Sequence, residues 1–314
     1  MRFNVIHVYG LGSGIVKMFE SAFPEREIRT LNGKEELTAS IGDIEVLFAF
    51  RPPRGLWSGA KRLQLIQTIG AGVDSVLPAP DLSSTVRITN ARGVHGLQMT
   101  EYALAMMLVF AKDLLQAIDN QQKKHWQWPS PLSLEGKTCS ILGMGTIGHV
   151  VAERAKQFGM RVIGTQREPK PSIHADEVLP PEQTEYALRE ADYVVVTLPL
   201  TPQTRNLLDE TLLSTLKPEA VLINMARGGV VDEPALANVL RAGRLRGAVL
   251  DALAEEPLLE TSDLWTTRNL IITPHMAGGV PDYLERVLAI FIENVRRLEE
   301  GKSLRNEVDR ERGY

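Results

Sequence analysis

The chain has 314 residues, 44% hydrophobic and 24% charged, a globular composition long enough for two domains. Its formal net charge of −4 excludes the electrostatic footprint of a nucleic-acid binder or of a protein held on an anionic membrane. The single cysteine, Cys139, excludes an intrachain disulfide and fits a reducing, cytoplasmic setting.

Met1–Tyr9 lacks a basic segment followed by a long apolar run, so no signal peptide is expected. The longest apolar run, Tyr102–Ala111, is too short to span a bilayer and reads as a buried or interface helix. Strand-like runs at Phe3–Val8, Val46–Ala49 and Leu65–Thr68 alternate with helical stretches. Gly10-Leu-Gly12-Ser-Gly14 follows the first of these strands but lacks a third glycine at the right offset, and it reads as an ordinary strand-to-helix turn. A long helix is predicted from about Leu97 to Trp126, ended by Pro129 and Pro131.

Residues 138–148, Thr-Cys-Ser-Ile-Leu-Gly-Met-Gly-Thr-Ile-Gly, read as a buried strand running through Gly143-x-Gly145-x-x-Gly148 into a helix. Gly143 permits a tight turn, Gly145 lets a pyrophosphate approach the backbone, and Gly148 lets the helix pack close to the strand. The free N–H groups of the helix N-terminus would face the phosphates. The strand and helix on either side make this GxGxxG a dinucleotide-binding signal, with Met144, Thr146 and Ile147 lining the same turn.

Further strands are predicted at Arg161–Thr165, Asp192–Thr197, Ala220–Asn224, Gly247–Leu250 and Leu270–Thr273. A helix at Glu233–Arg241 has Asp232 as N-cap and Pro234 near its first turn. The last helix, about Pro281–Glu300, carries an apolar stripe at Leu284, Val287, Leu288, Phe291, Val295 and Leu298. The alternation predicts an α/β protein with two doubly wound parallel-sheet domains. One is a Rossmann dinucleotide-binding domain at about 98–278; the other combines 1–97 with 279–314, and a ligand cleft is expected between them.

Three segments fall at strand ends of the nucleotide domain: Asn224–Asp232, Leu250–Pro257 and Thr273–Gly278. Ligands of doubly wound sheets bind at the carboxyl ends of strands, so Arg227, Glu256 and His275 are candidates for one site. With Gly70-Ala-Gly72-Val-Asp74, and with Asn90-Ala-Arg-Gly93 followed by Glu101, these segments resemble the D-isomer-specific 2-hydroxyacid dehydrogenase family over nearly the whole chain.

The resemblance implies an NAD(P)-dependent oxidoreductase acting on a small 2-oxo/2-hydroxy acid pair, with no metal. It implies Arg227 as the substrate-carboxylate binder, His275 as acid/base and Glu256 as its partner. The family's Glu lies five residues after the strand-end Asp and directly before Pro, which by resemblance selects Glu256, after Asp251 and before Pro257, over Glu255. Ala71 and Gly72 would offer backbone N–H groups to the substrate carboxylate. Leu198, Pro199, Ala226 and Asp251 would contact the cofactor, Asp251 near the nicotinamide carboxamide. Met99, Thr100 and Glu101 would begin the long helix at an interdomain hinge. The chemistry suits these residue types. A guanidinium can fork onto a carboxylate and polarise the adjacent ketone. Histidine can protonate the carbonyl oxygen as hydride reaches carbon, and a carboxylate on its other nitrogen fixes the tautomer.

An acidic residue that grips the adenosine ribose should end the second strand of the nucleotide domain. Gln166 stands there, followed by Arg167, with Lys170 nearby. Loss of the acid removes repulsion of a 2′-phosphate and Arg167 can pair with it, so NADP is expected over NAD.

Leu253 stands where the family often has an aromatic residue, and the terminal Arg-Gly-Tyr resembles endings in the glyoxylate/hydroxypyruvate reductase and 2-ketoacid reductase branch. Arg51, Arg54 and Trp57 either shape the substrate side-chain pocket or belong to a solvated Pro-rich loop. Leu97–Trp128, with Trp126 and Trp128, resembles the family's dimerisation segment, which implies a homodimer. The alternative to an enzyme is a dinucleotide-sensing binding protein of the same fold. A long disordered tail would favour it, and the sequence has none.

Overall fold

The computed structural model describes residues 2–128 and 130–313. The chain divides into two compact units, Met1–Val94 with Val280–Tyr314, and His95–Gly279.

Among the described residues of the first unit, five strands form one parallel sheet: β1 (Val5–Tyr9), β2 (Glu27–Leu31), β3 (Val46–Ala49), β4 (Leu65–Thr68) and β5 (Arg87–Thr89). Their order is β2-β1-β3-β4-β5, a doubly wound arrangement. Val46, Phe48 and Leu65 face one core with Phe19 and Phe291, while Leu47, Ala49 and Ile66 face another with Trp57 and Leu63. Burial on both faces explains why these strands read as unbroken apolar runs. The terminal helix, Tyr283–Glu299, packs Val287, Phe291 and Val295 on the first core. Its buried Asn294 ties the C-terminal segment down: the side-chain amide donates to the Arg305 carbonyl at 3.0 Å and Oδ1 accepts from the Arg305 N–H at 2.7 Å.

The second unit holds, among its described residues, a seven-stranded parallel sheet in the order β12-β11-β10-β9-β6-β7-β8. Its strands are β6 (Thr138–Leu142), β7 (Arg161–Thr165), β8 (Glu177–Leu179), β9 (Tyr193–Val196), β10 (Val221–Asn224), β11 (Gly247–Leu250) and β12 (Leu270–Ile272). Alternate residues of β9 and β10 enter opposite cores, Val194, Val196 and Leu222 on one side and Val195, Val221 and Ile223 on the other. Cys139 is fully buried in the second of these cores, where desolvation pushes its thiol up to about 12.

The sequence expectation of one long helix from Leu97 is corrected. Gly96–Ala111 and Leu114–Gln122 are separate helices, broken where Asp113 takes a left-handed backbone with φ of 55°. Aspartate tolerates that conformation better than most L-residues. The helical segment ends at Gln122, before Trp126. Pro129, assigned above to its end, and Tyr314 lie outside the described residues. Strands β2, β5 and β8 had no clear sequence signal. Glu233–Arg241 is helical as expected, and the Asp232 carboxylate accepts the Ala235 N–H at 2.9 Å as its N-cap. After β1, Gly10 and Gly12 turn the chain into a short helical stretch, as expected.

Candidate active site

β6 ends at Leu142 and the chain turns at Gly143, whose φ of 106° favours glycine. The turn is fixed from both flanking strands. The Gly143 N–H donates to Thr165 Oγ1 at 3.2 Å, the Thr197 hydroxyl donates to the Gly143 carbonyl at 2.6 Å, and the Met144 N–H reaches the Thr165 carbonyl at 2.7 Å. Gly145 caps the helix Thr146–Gln157, and a Cβ built on it meets nothing within 4 Å. That open approach beside first-turn N–H groups, which have no intrahelical acceptor, fits a dinucleotide pyrophosphate. At Gly148 a Cβ would overlap the Gly143 carbonyl, so a side chain there would push the helix off the strand. Leu198 borders the turn: its backbone nitrogen would lie 3.2 Å from a Cβ at Gly143. Pro199 is half-buried beside it, its carbonyl accepting from the Thr204 hydroxyl at 2.6 Å.

Gln166 follows β7 and staples two segments together. Its side-chain amide donates to the Met144 carbonyl at 3.0 Å, and its Oε1 accepts the Lys170 N–H at 3.2 Å. Arg167 and Lys170 are exposed.

β10 delivers Arg227. Asn224, buried at the strand end, shapes the turn by accepting the Ala226 N–H at 3.2 Å and donating to the Arg227 carbonyl at 3.0 Å. Arg227 is half-buried and its Nη1 donates to the Ala226 carbonyl at 2.7 Å. The next residue, Gly228, lies flat on the loop after β11, where a Cβ would overlap the Leu253 carbonyl. This close approach sets the Arg227 turn against the loop that carries Glu256. Leu253 is buried there.

Glu256 and His275 meet, with His275 Nδ1 donating to Glu256 Oε1 at 2.9 Å. The Leu253 N–H donates to the same oxygen at 3.2 Å. A carboxylate on Nδ1 leaves Nε2 as the nitrogen that can exchange a proton. Glu255, one residue earlier, is exposed. Glu233 supports the loop by accepting the Ala254 N–H at 2.6 Å; burial holds its carboxyl above the usual range, and Asp232 and Glu256 add to the effect.

Four participants had no assigned role in the sequence reading. Burial, and then the charges of Arg227 and His275, push His95 down to about 4, so it is a neutral imidazole within electrostatic reach of both. Its ring lies against Gly278, where a Cβ would sit 2.7 Å from His95 Cδ2. Gly228 acts through the packing described above. Thr273 and Tyr102 join Asp251 in a hydrogen-bonded chain behind His275. Gly228 and Thr273 had a signal, as parts of strand-end segments.

In the first unit, Ala71 and Gly72 are half-exposed in the turn after β4, held by the Asn90 amide donating to the Ala71 carbonyl at 2.8 Å. Arg54 donates to the Asp74 carbonyl, and Arg51 lies over the Phe50 ring at 5.5 Å. Trp57 is corrected as a pocket residue: it is 2% exposed and belongs to a core, because its 3-10 turn packs inward under β3.

The model of the "D-isomer specific 2-hydroxyacid dehydrogenase, NAD binding domain" matches residues 104–277. A glyoxylate reductase of Aeropyrum pernix is 32% identical over 289 residues, 88% of this chain and 86% of that protein. The chain belongs to the D-isomer specific 2-hydroxyacid dehydrogenase family.

A D-3-phosphoglycerate dehydrogenase of Methanocaldococcus jannaschii is 30% identical across 91% of this chain, which spans 55% of that longer relative. Among solved structures, the NADPH-dependent glyoxylate/hydroxypyruvate reductase of Sinorhizobium meliloti, in complex with NADP and sulfate, superposes with a TM-score of 0.89. The two are 27% identical, and 99% of each chain is covered. Membership makes this chain an NAD(P)-dependent 2-hydroxyacid oxidoreductase and not a sensing protein. Among the described residues, no helix is long and apolar enough to cross a membrane.

Proposed function

We propose that this dehydrogenase is an NADP(H)-preferring reductase of short 2-oxo acids such as glyoxylate or hydroxypyruvate, forming D-2-hydroxy acids. The observation that carries this reading is the His275–Glu256 pair, 2.9 Å long, set at strand ends next to the Arg227 turn. When bound, the dinucleotide supplies hydride to C2 of the substrate. His275, its Nδ1 occupied by Glu256, gives a proton from Nε2 to the carbonyl oxygen. Glu256 stabilises the imidazolium before that transfer, and Arg227 forks onto the substrate carboxylate.

Gly143, Met144, Gly145, Thr146, Ile147 and Gly148 hold the pyrophosphate in this reading, with Leu198, Pro199, Ala226 and Asp251 flanking the cofactor. The unit His95–Gly279 is then the dinucleotide-binding domain, and Met1–Val94 with Val280–Tyr314 the substrate-binding domain. The NADP preference is supported by Gln166 and Arg167 at the end of β7 and by the NADP held in the Sinorhizobium structure. A homodimer is proposed through the segment 97–128, and a cytoplasmic setting from the lone buried thiol.

Turnover of NADPH and then NADH should be followed by absorbance against glyoxylate, hydroxypyruvate, pyruvate and 2-oxoisocaproate. NADPH is expected to give the higher kcat/KM, at least about tenfold, because the 2′-phosphate gains a charge-assisted contact. Equal use of both cofactors would overturn the preference. A best rate with 2-oxoisocaproate would replace the substrate assignment by a bulkier aliphatic acid.

A further inference from the structure

His275 sits on a backbone with φ of 54°. Histidine holds a left-handed conformation only where the surroundings fix it. The fixing group here is Asp251, at the end of β11 and 1% exposed. Its Oδ1 accepts the Thr273 hydroxyl at 2.6 Å and the Met276 N–H at 2.8 Å, and its Oδ2 accepts the Ala277 N–H at 2.9 Å. The His275 N–H is shared between the carbonyls of Asp251 and Thr273, both at 2.9 Å. Residues on both sides of His275 are therefore tied to one carboxylate.

The clasp extends one step further. Tyr102, on the helix Gly96–Ala111, places its hydroxyl 2.6 Å from Thr273 Oγ1. Thr273 has one hydroxyl proton and gives it to Asp251, so Tyr102 must be the donor to Thr273. The proton order is fixed: Tyr102 to Thr273 to Asp251. Burial pushes the phenol up to about 12, which keeps that donor in place across the working pH range. In a part-buried chain of this kind each bond polarises the next.

We propose that Tyr102 and Thr273 are positioning residues for the reaction. Through Asp251 they hold the 273–277 turn so that the His275 ring meets Glu256 and presents Nε2 in one orientation. The inference rests on the acid/base role proposed above for His275. Neither side chain needs to touch substrate. Removing either hydroxyl loosens the turn and leaves the phosphate-binding loop, which is built on β6 and β7, unaltered.

The test uses the full chain with three substitutions, Tyr102→Phe, Thr273→Val and Thr273→Ser. Thr273→Val should lower kcat about 100-fold and Tyr102→Phe about 10-fold, with the 2-oxo acid KM and the NADPH Kd within about twofold of the parent. Thr273→Ser, which keeps the hydroxyl, should retain kcat within about twofold. Without cofactor, amide exchange at Met276 and Ala277 should quicken about tenfold or more in Thr273→Val and stay unchanged in Thr273→Ser. A Thr273→Val enzyme with parental kcat, or a Thr273→Ser enzyme as impaired as Thr273→Val, would overturn the proposal. If the parent turns over no 2-oxo acid, the functional reading fails; the exchange comparison still decides whether the hydroxyl chain holds the turn.

Discussion

At the scale of single residues, the proposed reaction rests on Arg227, Glu256 and His275. His275→Ala should lower kcat by about 10²–10⁴-fold, the usual worth of a positioned general acid, while NADPH binding stays near the parent value. Retention of near-parental kcat would remove His275 from that role. His95 gives a second prediction, on stability. Its folded-state value is pushed down to about 4 from the ordinary value near 6.5, so on acidification the unfolded chain takes up this proton first. Its contribution is intact above about pH 6.5 and is lost progressively down to about pH 4. Buried His7 is shifted in the same direction by desolvation. A His95→Gln variant should therefore lose less stability than the parent between pH 7 and pH 5, read as the shift in urea midpoint. An identical fall in both would show that His95 does not titrate this way. Resemblance to the family distinguished Glu256 from its neighbour Glu255, because the family's offset from the strand-end Asp is a local quantity that can be counted in this sequence. It could not assign Tyr102 or His95, whose roles arise from where the helix Gly96–Ala111 lies against the ends of β11 and β12.

Among elements, the site depends on close backbone approach at turns. Gly228 is the sharpest case, since a Cβ there would enter the Leu253 carbonyl. Gly228→Ala should separate the Arg227 turn from the Glu256 loop. The expected result is a stability loss of about 2 kcal/mol or more and a steep fall in kcat/KM, measured by urea unfolding and steady-state rates. Parental values for both would mean the two loops are not packed as described. Most strands legible in the sequence are buried on both faces and read as apolar runs; β12 is the exception, a half-buried edge strand written Leu-Ile-Ile. The three without a clear signal, β2, β5 and β8, are edge strands of their sheets. An edge strand has a more solvated face and needs no continuous apolar run. The break at Asp113 was hidden for another reason: neither Lys112 nor Asp113 is a helix breaker, and the chain there is tied to a distant segment, the Leu132 N–H donating to the Ala111 carbonyl at 2.7 Å and Lys112 Nζ to the Leu132 carbonyl at 2.8 Å.

For the whole molecule, the proposed homodimer makes the last prediction. Trp126 and Trp128 are 92% and 83% exposed in the single chain, and Ile118 and Leu115 of the preceding helix are exposed as well. Indoles left in water are costly, and two copies burying them would gain several kcal/mol. Sedimentation should report a dimer, and Trp126→Glu with Trp128→Glu should shift it toward monomer without loss of the far-ultraviolet helical signal. A parent that sediments as a monomer would overturn the assembly.

The sequence by itself determined the α/β class, the glycine turn with its flanking strand and helix, and the residue types at the ends of β10, β11 and β12. Each of these is written in local spacing, through the periods of buried strands, the φ demands of glycine and the offset of a side chain from a strand end. Only the tertiary structure decided that Trp57 belongs to a core, that Gln166 staples the glycine turn, and that Asp251, Thr273 and Tyr102 stand behind His275. Those facts depend on segments far apart in the chain meeting at distances under 4 Å, and hydrogen bonds and packing act only across such contacts.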